Sequence, residues 1–168
     1  MKLQGDGFPL RRGAVSELDI AWAIWCEANI AAGRGPGSKA TLGRIKRRLA
    51  FGTTTLFFAV QDGESVGVTM LAQAREKSGD GNPVDGLGHL STVAVKPAYW
   101  GRGIARALVN EALNEARVRK FERVQLWVNA WNARAIRLYE FLGFRQTTDQ
   151  QLDDYGKLMH RYEISVEL

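Results

Sequence analysis

A single cysteine, Cys26, stands in 168 residues. An intramolecular disulfide and a cysteine-cluster metal site are therefore both excluded. The two histidines, His89 and His160, lie far apart in the chain, which argues against a zinc site and leaves no metal expected. No apolar run approaches the length that crosses a bilayer. The opening MKLQGDGFPL carries no apolar signal stretch, so a cytoplasmic protein without membrane contact is the expectation. There is no internal repeat and no low-complexity segment. With 45% hydrophobic and 24% charged residues, the chain can bury one sizeable core, and residues 1–168 read as a single domain.

The net charge of +5 is a mild basic excess. It suits a solubilising surface, a nucleic acid or an acidic ligand such as a polyphosphate. Helical spacing and strand alternation give the order β, α, α, β, β, β, α, β, α, β, β. Phe8–Arg12 is the expected first strand. Ser16 reads as the cap of a helix running to Ala31, with Asp19 at its third position. Gly33–Gly37 breaks that helix, and Leu42, Ile45 and Leu49 mark a second one. Asp62-Gly63 joins two antiparallel strands. Gly88–Lys96 is a strand with His89, Ser91, Val93 and Val95 on one face. A long helix to about Lys120 follows, then a strand over Arg123–Val128 and a helix from Asn132 to Leu142 capped by Gly143. The fold class is α/β with a mixed central sheet, and residues 88–143 should hold its parallel pair.

The stretch YWGRGIARAL, residues 99–108, puts two glycines where a strand ends and a helix opens. The first turn of a helix has unsatisfied N–H groups and partial positive charge. Gly101 and Gly103 remove the Cβ atoms that would hold a phosphate off the backbone. The ligand is not a Walker-type nucleotide, because no Gly-Lys-Ser/Thr follows. Arg106 stands where a dinucleotide fingerprint needs a small residue.

Val93-Ala94-Val95-Lys96-Pro97, Gly101-Arg102-Gly103-Ile104-Ala105, and Asn132, Ala135, Tyr139, Gly143 and Phe144 in Asn-x-x-Ala-x-x-x-Tyr-x-x-x-Gly-Phe spacing resemble, as a set, the GNAT-type N-acetyltransferase superfamily. Trp100 departs from the Gln or Arg usual at that place. The resemblance implies a mostly antiparallel sheet with a splayed parallel strand pair flanked by helices. It implies acetyl-CoA as co-substrate, its pyrophosphate on the amides of Gly101, Arg102, Gly103, Ile104, Ala105 and Arg106. The pantetheine arm would lie along Val93, Ala94 and Val95, with Asn132 on its amides. Tyr139 would be the general acid to the thiolate, in a direct attack by an amine. His89 and Glu27 are candidate bases. The first two helices, with Trp22, Trp25, Gly33–Gly37 and Arg44, would wall the acceptor, a small-molecule or peptide amine.

Two rival readings stand beside this one. Arg44-Ile45-Lys46-Arg47-Arg48 could meet nucleic acid, though no reader motif accompanies it. An acyl-CoA-binding protein without turnover is the other. Monomer and homodimer both stay open.

Overall fold

The structure, a computed structural model, describes residues 2–5 and 7–166. Strands β1 (Lys2–Gly5) and β2 (Phe8–Gly13) form a hairpin, then a 3-10 turn (Val15–Glu17) leads into α1 (Leu18–Ala31) and α2 (Lys39–Ala50). Strands β3 (Thr55–Gln61) and β4 (Glu64–Arg75) follow, then a single helical turn, α3 (Glu76–Gly79). The remaining elements are β5 (Pro83–Val95), a 3-10 turn (Pro97–Tyr99), α4 (Ile104–Val118), β6 (Arg123–Asn129), α5 (Ala133–Phe141), β7 (Arg145–Leu152) and β8 (Leu158–Ser165). One eight-stranded sheet runs in the order β1-β2-β3-β4-β5-β6-β8-β7. Every neighbouring pair is antiparallel except β5 with β6.

Strand β3 shows how the sheet is filled. Phe57 and Ala59 face one helical layer, whereas Leu56 and Phe58 face the other. The first layer is α4 and α5, whose Ile104, Ala107, Leu108, Ala112 and Tyr139 join Leu71, Leu90 and Leu126 in the larger core. The second is α1 and α2, where Ala21, Ile24, Ile45 and Leu49 meet Val68, Met70 and Ala94. Of the stripe expected on α2, Ile45 and Leu49 are buried and Leu42 is half-buried.

Three local expectations are corrected. Phe8–Arg12 belongs to the second strand, because Lys2–Gly5 pairs with it through Leu3 opposite Leu10. Ser16 does not cap α1. It lies inside the 3-10 turn, and Glu17 stands at the cap, its carboxylate accepting from the Ala14 N–H at 2.9 Å and from Arg11 at 2.7 Å. Nor do His89, Ser91, Val93 and Val95 share a face. Thr92 has φ +56°, and the register steps from Met70–Ser91 to Val68–Ala94, so β5 carries one extra residue. Beyond this bulge Ala94 takes up the face of Ser91, and Val95 joins Leu90 in the α4 core.

The bulge accompanies a parting of strands. β5 and β6 pair only from Leu87–Arg123 to His89–Gln125, although β5 continues to Val95 and β6 to Asn129. Helix α4 rides over β4 at Gly67, where a Cβ would lie 3.0 Å from Leu108 and 3.1 Å from Ile104. Valine there must push the helix off the sheet. Gly67→Val is expected to cost about 1–3 kcal/mol of stability; a melt unchanged from wild type would contradict this packing.

Candidate active site

The parted strands leave a cleft with two mouths. At the first, Pro97–Tyr99 turns the chain and Trp100 Nε1 donates to the Val95 carbonyl at 2.6 Å. The indole thereby pins the end of β5, and the Arg134 guanidinium lies 4.9 Å from its ring. A side chain that departs from the family pattern thus has a structural task. Gly101 and Gly103 have φ of +78° and +81°, and Gly103 is the cap of α4. Both therefore need the left-handed conformation, a requirement prior to any close approach by a ligand. Nothing lies within 4 Å of where either Cβ would be. No Asp or Glu occurs between Lys96 and Asn110, while Arg102 and Arg106 flank the turn. An anion reaching the first-turn amides of α4 meets open space and positive charge.

Between the parted strands lies a cavity of about 440 Å³, bounded by α2, β5, β6, the start of α5 and the turn between β7 and β8. Tyr139 lines it from α5, 7% exposed and edge-on to Phe144, with ring centroids 5.8 Å apart. Burial pushes its phenol well above the usual range, against the opposing charge of Arg34. Asn132 lines the same cavity and caps α5, its Oδ1 accepting from the Ala135 N–H at 3.2 Å. Val93 also lines it, whereas Ala94 and Val95 are buried and pair with Val68 and Gly67 of β4.

His89 reaches the cavity at the closed end of the cleft. Its Nδ1 lies 3.3 Å from Gln125 Nε2, the side chain opposite in the parallel register. Burial, with the Arg48 charge added, draws its pKa down to about 3. The ring is neutral at physiological pH and too weak a base to take a proton from an ammonium. Glu27 is exposed on α1 and does not line the cavity. The helical register turns it away from the side on which Trp25 reaches the cavity. Trp22 stacks on Trp25, with centroids 5.1 Å apart, and both close on Gly37, whose Cβ would meet them at 2.3–2.6 Å. Of Gly33–Gly37 only Arg34 lines the cavity.

The basic helix is partly engaged in ion pairs. Arg44 pairs with Asp154 at 2.7 Å, Arg47 with Asp80 at 3.4 Å, and Arg48 points to the cavity. Asp153 and Asp154 come from the β7–β8 turn, which the sequence reading left without a role. Asp154 accepts from Ser38, Thr41 and Arg44 at the start of α2, and Tyr155 donates to the Pro36 carbonyl. Asp153 accepts from the N–H groups of Tyr155 and Lys157 and from Asn129 Nδ2 at 2.8 Å. Burial raises its pKa, but these donors outweigh that and hold the carboxyl below its ordinary value. Asn129 and Gln125 were also missed. Their signal is polar side chains alternating with Val124, Leu126 and Val128 along one strand.

The acetyltransferase (GNAT) family model matches residues 22–144. The chain belongs to that family. The mycothiol acetyltransferase of Acidothermus cellulolyticus is 36% identical over 126 residues, which are 69% of this chain and 38% of that relative. The alanine N-acetyltransferase of ribosomal protein bS18 from Escherichia coli is 42% identical over 59 residues, 35% of this chain and 40% of that one. The chain thus matches about two fifths of the length of these relatives. Among solved structures, the Escherichia coli ribosomal-protein-S18-alanine N-acetyltransferase superposes with TM-score 0.71 at 23% identity, covering 95% of this chain and 94% of that one. A candidate acetyltransferase from Salmonella typhimurium, solved with its cofactor acetyl-CoA, gives TM-score 0.71 at 20% identity, over 96% and 95%. At these identities the structures establish a shared fold.

GNAT enzymes are acetyl-CoA-dependent acyltransferases. The residues present fit that co-substrate. The glycine turn is open, its own stretch from Lys96 to Asn110 carries no Asp or Glu, and the edge of β5 beyond His89 is left by β6. The neutral imidazole gives a direct check. Proton NMR of His89 should show no protonation on lowering the pH from 8 to 5. A midpoint near 6.5 would contradict its burial beside Arg48.

Proposed function

We propose that this chain transfers an acetyl group from acetyl-CoA to a primary amine by direct attack, without a covalent acetyl-enzyme. The observation that carries the reading is the cleft itself: an anion-receiving helix start at one mouth, Tyr139 and Asn132 along its wall, and a polar cavity at the other end. Both named curated relatives are acetyltransferases, one of them acting on an alanine nitrogen.

Acetyl-CoA supplies an activated acyl group on a good thiolate leaving group. The chain's own residues do the rest. The amides from Gly101 to Arg106 hold the pyrophosphate, and the free edge of Val93–Val95 offers backbone groups to the arm. The Asn132 Oδ1 is occupied by its cap, which leaves the side-chain NH₂ for the arm's carbonyl groups. In the reaction a C–N bond forms and the C–S bond breaks, the amine loses a proton, and sulfur gains one. Tyr139 stays protonated because burial holds its pKa up. A thiol titrates near ~8.5, well below this phenol, so handing over the proton completely runs uphill. Tyr139 therefore acts by donating a hydrogen bond to sulfur as charge builds there, and the proton on sulfur exchanges with solvent afterwards.

Among the described residues, no side chain lining the cavity suits removal of the amine proton. His89 is held neutral, with little basicity, and Asp153 and Asp154 are stabilised as anions by their donors. The amine accordingly enters uncharged, having lost its proton to water.

Two outcomes test this. Tyr139→Phe should lower kcat by roughly 10- to 100-fold, the worth of one charge-assisted hydrogen bond, with the calorimetric affinity for acetyl-CoA nearly unchanged. Unaltered turnover would sink the hydrogen-bond assignment. The kcat/KM profile should rise with pH at unit slope up to the acceptor's own pKa, so its break moves when one amine is exchanged for a more basic one. A break that stays near one pH for both amines would reveal a protein base.

A further inference from the structure

The cavity has a charge imbalance that acetyl transfer alone does not explain. Four arginines line it, Arg34, Arg44, Arg48 and Arg75, against two carboxylates, Asp153 and Asp154. Three of the four are engaged. Arg34 lies 3.9 Å from Asp153 and donates to Asn29 Oδ1 at 3.3 Å. Arg44 forks onto both oxygens of Asp154 at 2.7 and 3.3 Å. Arg75 donates to the Gly81 carbonyl at 2.8 Å and lies 3.6 Å from the centre of the Phe51 ring.

Arg48 is different. Among the described residues no carboxylate stands within salt-bridge distance of it, and Asp80, the nearest by charge, is paired with Arg47. Its guanidinium lies beside the α3 turn, 3.4 Å from where a Gly79 Cβ would be, and it faces His89, a neutral ring that cannot serve as counter-ion. Burial and the neighbouring Arg44 draw its pKa down to about 10, so it remains a cation at neutral pH. A guanidinium taken partly out of water without a counter-ion is costly unless a ligand provides one.

A second orphan lies in the same cavity. Asn129 is 1% exposed, its Nδ2 is committed to Asp153, and its Oδ1 is buried without a partner. An amide oxygen only accepts, so this atom calls for an N–H donor. Asn129 and Gln125, the register partner of His89, are four residues apart on β6, or about 13 Å of strand. The unmatched cation and the unmatched acceptor therefore sit toward opposite ends of one cavity.

We propose that the acceptor is an amine that also carries a carboxylate, with Arg48 binding the carboxylate and Asn129 Oδ1 accepting from its N–H groups. The inference rests on the acetyl-transfer reading for its amine and on the cavity alone for its anion. Arginine suits the task because its planar fork matches a carboxylate in two hydrogen bonds. The span between the two groups favours a peptide-like amine with an acidic side chain over a free α-amino acid, whose two charges are too close together.

The test uses matched pairs that differ only in that charge, the peptides Ala-Ala-Glu-amide and Ala-Ala-Gln-amide, followed by CoA release. Wild type should prefer the acidic peptide by about 10- to 100-fold in kcat/KM, the scale of one hydrogen bond to a charged group. Arg48→Gln should collapse the ratio toward one, Arg48→Lys should keep part of it, and Arg47→Gln should leave it intact. Equal use of both peptides by wild type, or a ratio that survives Arg48→Gln, overturns the proposal. The second readout needs no turnover. In an NMR titration of the CoA-loaded protein, glutarate should shift resonances of α2 and β5 saturably and glutaramide should not, with the response absent in Arg48→Gln. Glutarate binding without CoA release from any amine would leave the anion site standing and overturn the transfer reading. No glutarate response would overturn the anion site, whatever the turnover.

Discussion

Three residues of β5 pair with three of β6, and beyond His89 and Gln125 the strands separate. Everything functional in this fold follows from that short parallel contact. Had the pairing continued to Val95, the cleft would be an ordinary sheet interior. The Thr92 bulge is part of the same event, because its extra residue twists β5 away and exchanges the faces of the residues after it. α4 then follows β5 after the 3-10 turn and the glycine turn, and α5 follows β6. The two helix starts, at Gly103 and Asn132, are brought to one cleft by strands that diverge toward them.

The parts of the molecule governed by local rules were legible in the sequence. Leu42, Ile45 and Leu49 announce α2, Asp62-Gly63 announces the β3–β4 hairpin, and the crossover pattern of residues 88–143 announces the parallel pair. The positive φ of Gly101 and Gly103 and the Asn132 cap were legible because turn and cap requirements are written in residue type, whereas Tyr139 was marked out by the resemblance to the family pattern. What escaped depends on partners distant in sequence. The Ser16 cap failed because Glu17 had a stronger use, bridging Ala14 and Arg11. The face shared by His89 and Val95 failed because strand alternation assumes no bulge. Asp153, Asp154 and Asn129 carry no short-range signal. Their role appears only when the β7–β8 turn is placed against α2.

Electrostatics divides the cleft into two regions. At the helix start the charge is exposed and positive, suited to a polyphosphate that arrives from water. In the cavity the titratable groups are held in fixed states: Tyr139 with its proton, His89 without one, and Asp153 and Asp154 ionised by donors. Such a site changes its charge little across the neutral range.

The turn that carries Asp154 also ties distant parts of the chain together. Its bonds to Ser38, Thr41 and Arg44 join residues more than a hundred positions apart. The glycine turn, β6 and α5, by contrast, come from one continuous stretch of about fifty residues. The cost of loop closure grows slowly with separation, so closing the distant contact costs about 1 kcal/mol more than closing the near ones. The wall facing the parted strands is therefore tied together by contacts between residues more than a hundred positions apart, whereas the glycine turn, β6 and α5 are neighbours in sequence.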